Sequence, residues 1–326
     1  MWLLSQVRFV SSLFNGLYKL GSDRAMEVSH LLKLYEDGQR DFAGIDLNGG
    51  DLRGVTLIGV NLTGANLRGA NLSRAFLTKS DLTGACLNWA DLSFVKLSEG
   101  KLVEADLTKA NLSGAFLVKS KLPGAKLSGA NLSNANLRVA NLWGANLCGA
   151  NLQRINLRDA NLSGVNLSWA NLCEARLTGA KLYGASLNGV NFSRAFLKGL
   201  DLGGVDLEGA NLNGAKMSGA NLEGANLSAV DLSEATLRRA NLKGADLRGA
   251  NLARASLQGA DLSWTILSKA NLSEADMSEA KLVGTNLEEA QINGAVLPLE
   301  HQNSYSEAIC SASVTLFEQP VRAMVG

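Results

Sequence analysis

The chain has 326 residues, with 31 Lys and Arg against 30 Asp and Glu, for a net charge of +1. That balance excludes a bulk electrostatic basis for binding nucleic acid or an acidic substrate. Four cysteines without metal-ligand spacing exclude a sulfur-held metal centre and read as free thiols of a reducing compartment.

Residues 1–39 form an N-terminal segment with two predicted helices. Residues 2–20 fit an amphipathic helix: Trp2, Leu3, Val7, Val10, Leu13, Phe14, Leu17 and Leu20 share one side, and Arg8, Ser12, Asn15 and Lys19 the other. Arg8 interrupts the apolar run and no small-x-small site follows, which argues against a signal peptide. The run is also too broken to span a bilayer. The expectation is a cytoplasmic protein, with residues 2–20 extending a cap, binding a partner or second copy, or touching a membrane surface peripherally. A second helix is predicted from Ser22 or Asp23 to Gly38, with Ala25, Val28, Leu31, Leu32 and Tyr35 on its apolar face.

From Arg40 to Leu299 the sequence repeats every five residues without an insertion, as in ANLSNANLRVANLWGANLCGANL from Ala130 to Leu152. The 260 residues make 52 pentapeptides, and the central residue is Leu except at Phe42, Phe192, Met217, Met277 and Ile292. A five-residue step on a helix is about 140° net, so the leucines would form no apolar face. In a strand, Ala130 and Leu132 share a face, but Ala135 has the wrong parity to continue it. Each pentapeptide is therefore one short straight side and one corner, here at Ser133 and Asn134. Glycine is the commonest last residue, where freedom in φ helps. Stacked sides pair backbones between coils, which predicts an all-β solenoid.

The repeat resembles the motif A(D/N)LXX of the pentapeptide-repeat family, in its cyanobacterial form, over about four-fifths of the chain. The resemblance implies a right-handed quadrilateral parallel β-helix with four pentapeptides per coil, about 13 coils and helical caps at both ends. Such a rod would be roughly 60 Å long. Leu31–Leu47 resembles the family's entry segment, where a helix plugs the first coil. Pro298 closes the repeat. In residues 300–326, Ser304 and Glu307 form a capping box opening a short helix with Ala308, Ile309, Ala312, Leu316 and Phe317. That helix is expected to cap the rod or to make a homodimer contact, as in some family members.

No catalytic constellation is legible, and no cofactor is implied. The two histidines, His30 and His301, lie in the terminal segments. The register carries no inserted loop, the usual place for a site on a repeat scaffold. The expectation is a non-enzyme.

Function is then sought in the replaceable letters. If four pentapeptides make a coil, residues 20 apart stack. The side containing 55–59, 75–79 and so on carries Lys79, Lys96, Lys119, Arg138, Arg158, Arg176, Lys198, Lys216, Arg238 and Arg239 against four acids, a net +6. The other three sides sum to 0, −2 and −1. The basic side also holds Phe76, Phe116 and Phe196, each just before its central Leu. Stacked in order, Lys96 would sit between two rings and Phe196 between two cations, within cation–π reach. Aromatics among cations are an interface signature. The leading expectation is a scaffolding protein that binds a protein partner of unknown identity through this side. The resemblance offers an alternative, a DNA-mimic modulator of DNA gyrase, but the repeat carries 26 basic and 23 acidic residues where a DNA mimic must be strongly acidic. Direct nucleic-acid binding by the basic side is a further alternative, disfavoured by the net charge.

Overall fold

The structure is a computed structural model that describes residues 26–299. Its plan follows from where the five backbone N–H groups of each pentapeptide go, since buried backbone groups must pair. Asn61 N–H donates to the Arg40 carbonyl on the preceding coil (2.7 Å), and Leu62 N–H to the Asp81 carbonyl on the next (2.7 Å). Gly64 N–H donates to the Thr83 carbonyl (2.9 Å), and Ala65 N–H closes the corner on the Leu62 carbonyl (3.1 Å). The fifth, Thr63 N–H, has no backbone partner and donates to the Asn61 side-chain oxygen (3.0 Å). Asn or Asp before the central Leu is thus a turn-closing acceptor.

Residue n bridges in parallel to residue n+20, from Asp41↔Asn61 to Asp276↔Val296. Four pentapeptides therefore make one coil, and the rod has four sides. Side 1 begins at Arg40, side 2 at Ile45, side 3 at Gly50 and side 4 at Val55, each recurring every 20 residues. The sides pair through isolated bridges; no extended strand is present among the described residues.

The corner requires a positive φ. At the last position of every pentapeptide from Gly44 to Gly294, φ lies between 54° and 75°. With the four-residue turn closed from Leu carbonyl to Ala N–H, this is the type II pattern. Twenty-seven of these positions are glycine and 24 are not, so the solenoid bears a local backbone cost at many corners. Bulky corner side chains lean onto the next coil. A Cβ on Gly189 would lie 2.4 Å from the Trp169 ring, and one on Gly284 would lie 2.5 Å from the Trp264 ring. Gly189→Ala is expected to destabilise by about 1–3 kcal/mol, the left-handed cost plus a displaced indole. Gly149→Ala, on the same corner with nothing within 4 Å, should show only the backbone cost of about 1 kcal/mol. Urea denaturation of the two variants separates these contributions.

The core is the stack of inward Leu and Ala, nearly all at most 2% exposed. Hydroxyls that enter it are satisfied: Ser80 and Ser120 donate to the Leu57 and Leu97 carbonyls, each at 2.8 Å. Cys86, Cys148 and Cys173 are free and point outward, as expected.

Helix α1 spans Val28–Glu36, shorter than the predicted helix. Glu27 is extended (φ −66°, ψ 132°) because Met26 N–H pairs with the Asp46 carbonyl, drawing the chain along the first coil. Leu31 is fully buried, and Val28, Leu32, Leu34 and Tyr35 pack against the core. The Tyr35 hydroxyl accepts the Ile58 N–H (3.2 Å), and Val28 lies where a Cβ on Gly50 would fall. Gly38, at φ +95°, ends the helix as expected. The expected helices at residues 2–20 and after Ser304 lie outside the described residues. No described helix is long and apolar enough to cross a membrane.

Candidate functional site

Side 4 differs from the others in how its turns are closed. On side 3 the residue before the central Leu is Asp or Asn at twelve successive coils, from Asp51 to Asn271. Each accepts the N–H two residues on, as Asn131 does from Ser133 (3.1 Å) and Asn171 from Cys173 (3.1 Å). Along side 4 the same column reads Thr56, Phe76, Lys96, Phe116, Asn136, Asn156, Arg176, Phe196, Lys216, Thr236, Ser256, Asp276 and Val296. Only Asn136, Asn156 and Asp276 accept the turn N–H there. At six coils a ring or a cation replaces a hydrogen bond worth about 1 kcal/mol. Fold stability alone does not favour that exchange.

The stacked column is continuous. Phe76 bridges Lys96, Lys96 bridges Phe116, Arg176 bridges Phe196, and Phe196 bridges Lys216. Phe76, Phe116 and Phe196 are 45%, 39% and 45% exposed, so the rings are only half-covered. Ile58, Val139, Val296 and Leu299 add further exposed apolar surface to side 4.

The expected sandwiches do not form. Lys96 Nζ sits 3.2 Å from the Phe116 ring centre, and Arg176 lies 5.9 Å from that of Phe196. Among the described residues no cation stands over Phe76, and Lys216 does not stand over Phe196. Lys96 and Arg176 each lean toward the following coil and engage one ring only.

Charge is also treated differently on this side. Seven ion pairs occur among the described residues: Arg53–Asp51, Lys101–Asp81, Arg154–Glu174, Arg248–Asp246, Arg254–Glu274, Lys269–Glu289 and Lys281–Asp261. All lie on sides 1 to 3 or their corners. There the cations hold their carboxylates below the usual range: a hydrogen bond from Arg53 does so for Asp51, one from Arg154 for Glu174, and one from Arg248 for Asp246. None of the ten side-4 cations enters an ion pair. Arg238 instead donates to the Gln258 side-chain oxygen. Lys79, Lys119, Arg138, Arg158, Lys198 and Arg239 remain available to a ligand, beside the ring-leaning Lys96 and Arg176 and the unpaired Lys216.

One ring was missed by considering only the residue before Leu. Phe94, 49% exposed, occupies the left-handed corner from side 3 into side 4 (φ 56°) and lies over Gly114. Arg74 stands 5.9 Å from its ring centre. The sequence signal was a bulky corner residue followed by glycine 20 positions on. No group of three or more His, Cys, Asp or Glu that could hold a metal occurs among the described residues.

Pentapeptide repeats match from residue 41 to 297, with a gap only at 229–230. Among solved structures the chain is similar to HetL, a pentapeptide repeat protein involved in heterocyst differentiation regulation from the cyanobacterium Nostoc sp. strain PCC 7120. The identity is 34%, covering 84% of this chain and 98% of that one, with a TM-score of 0.26. A pentapeptide repeat protein of the Arabidopsis thaliana thylakoid lumen shares 31% identity over 36% of this chain and 78% of its own, with a TM-score of 0.23. The plasmid-mediated fluoroquinolone resistance protein QnrB1 shares 17% over 81% of this chain and 100% of its own, at a TM-score of 0.29. A comparison with curated proteins gave no match. The repeat matches and the HetL identity show that the chain belongs to the pentapeptide repeat family, whose fold is a right-handed β-helix solenoid.

Proposed function

We propose that the protein is a non-catalytic binding rod of thirteen coils, closed by helical segments at both ends, that docks a protein partner through side 4. The observation that carries this reading is the set of ten unpaired cations on the side that also forfeits its turn acceptors for half-exposed rings. Among the described residues, seven of the sixteen cations on sides 1 to 3 find carboxylates one coil or two residues away; on side 4 none of the ten does, and they stand beside exposed apolar surface. A partner of matching chemistry presents carboxylates around an apolar patch, so that charge steers the approach and the rings supply the buried contact.

The near balance of charge in the repeat weighs against DNA mimicry, and against nucleic acid as the ligand of side 4. The test is capture of partners from the native organism by the wild-type rod, by Arg176→Glu with Lys216→Glu, and by Lys121→Glu with Lys126→Glu. The last pair applies the same net charge change on sides 1 and 2. A true side-4 partner is lost with the first variant and kept with the second.

A further inference from the structure

Short of the last described coil, where Glu279 N–H lacks its bond to Pro298, the coil-to-coil ladder is interrupted at one place among the described residues. Between 179–189 and 198–208 seven expected backbone hydrogen bonds are missing, and the bridges 181↔201 and 186↔206 are absent. The N–H groups of Leu182, Gly184, Leu187 and Gly189 lose their partners on the next coil, as do those of Asp201 and Asp206 on the preceding one. One coil earlier the counterparts are intact, at 2.8 Å for Leu162, Gly164, Leu167 and Trp169. Sides 3 and 4 stay joined across the split: Phe192 N–H reaches the Asn211 carbonyl at 2.7 Å, and Leu197 N–H the Lys216 carbonyl at 2.9 Å. Sides 1 and 2 are therefore parted while sides 3 and 4 hold. Ala180 reaches 8% exposure and Ala185 and Val205 are only partly buried, against 0–1% for most alanines at equivalent positions.

The cause lies in the core. Inward positions next to the central Leu are normally Ala because the facing layers leave no more room. Between 190 and 205 this chain places Val190, Phe192, Leu200 and Val205 inward. Elsewhere enlargements are offset or single: Val95 is followed by Gly100, where a Cβ would lie 2.7 Å from Leu97 Cδ1, and Ile155, Val165 and Val230 each stand alone among alanines with their ladder bonds intact. No glycine offsets Leu200, which opens side 1 of its coil. An overpacked layer must shift backbone, and the outer ladder yields first where the large side chain enters.

We propose that the rod carries a hinge at this split, wedged open by Leu200 and Phe192, with sides 3 and 4 as its hinge line. Bending about that line changes the curvature of the basic side, because Arg176, Phe196 and Lys216 straddle it. A rigid face is thereby divided into two segments that can adjust to one partner.

The test is residue-resolved amide hydrogen exchange on the full chain. The amides of Leu182, Gly184, Leu187 and Gly189 are expected to exchange about tenfold or more faster than those of Leu162, Gly164, Leu167 and Trp169, since local opening tracks missing bonds. In Leu200→Ala they slow to the level of those neighbours. Phe192→Leu, which restores the consensus residue, gives the same slowing to a lesser degree and serves if Leu200→Ala folds poorly. Equal protection of both sets in the wild type overturns the hinge. Fast exchange persisting in both folded variants overturns the wedge, and with it the proposal.

Discussion

Leu137→Ala is expected to destabilise the rod by about 2–5 kcal/mol in chemical denaturation. Leu137 is fully buried, and its neighbours above and below are themselves core leucines that cannot collapse into the space. The cavity is therefore retained, which places the cost toward the upper part of that range. In a one-dimensional repeat each coil is stabilised by its neighbours, so the lesion weakens coupling between the two halves and broadens the transition. Ile266→Ala is the matched control. Ile266 is as large and apolar as Leu, but it occupies the outward column and is 38% exposed. Its loss should fall within about 0.5 kcal/mol. Equal costs for the two variants would mean that the inward and outward columns are misassigned.

Arg176→Glu with Lys216→Glu is expected to weaken partner binding at least about tenfold, equivalent to roughly 1.4 kcal/mol. The double reversal takes side 4 from +6 to +2 and places two acids beside Phe196, where the partner's own acids would lie. Like charges across an interface oppose association, so the loss should exceed that from Arg176→Ala with Lys216→Ala. The wild-type affinity should fall as salt rises, and the reversed variant should be less salt-sensitive. Stability should change by less than about 1 kcal/mol, because neither cation is part of an ion pair and only the exposed Arg176 contact with the Phe196 ring is lost.

Much of this organisation is legible in the sequence because each constant letter has one physical job. Leu132 and Ala130 are inward by parity, and the structure buries both completely. The bend at Ser133 and Asn134 follows from the same parity, and Asn134 takes φ +59°. Sorting by twenty placed Phe76, Lys96 and Phe116 in one column, and the bridges show that column. What could not be read depends on contacts between coils. The lean of Lys96 toward Phe116 alone depends on side-chain rotamers. The role of Asn61 as acceptor for Thr63 N–H requires the turn geometry, although it explains why Asn and Asp dominate the column. Leu200 is legible as an oversized inward residue, but which ladder bonds are missing around it depends on how the layers of neighbouring coils meet. The exposed Phe94 is not legible from the column before the central Leu, because it stands at a corner position that glycine most often fills.

The central claim is that side 4 is the partner surface. A photo-crosslinking residue at Phe116 on side 4, compared with one at Lys126 on the opposite side 2, tests it most directly. Both occupy the outward position before the central Leu, and both are exposed. Specific cross-linking of the captured partner from position 116, with none from 126, is the predicted result. Equal cross-linking from both, or cross-linking from 126 alone, contradicts the claim.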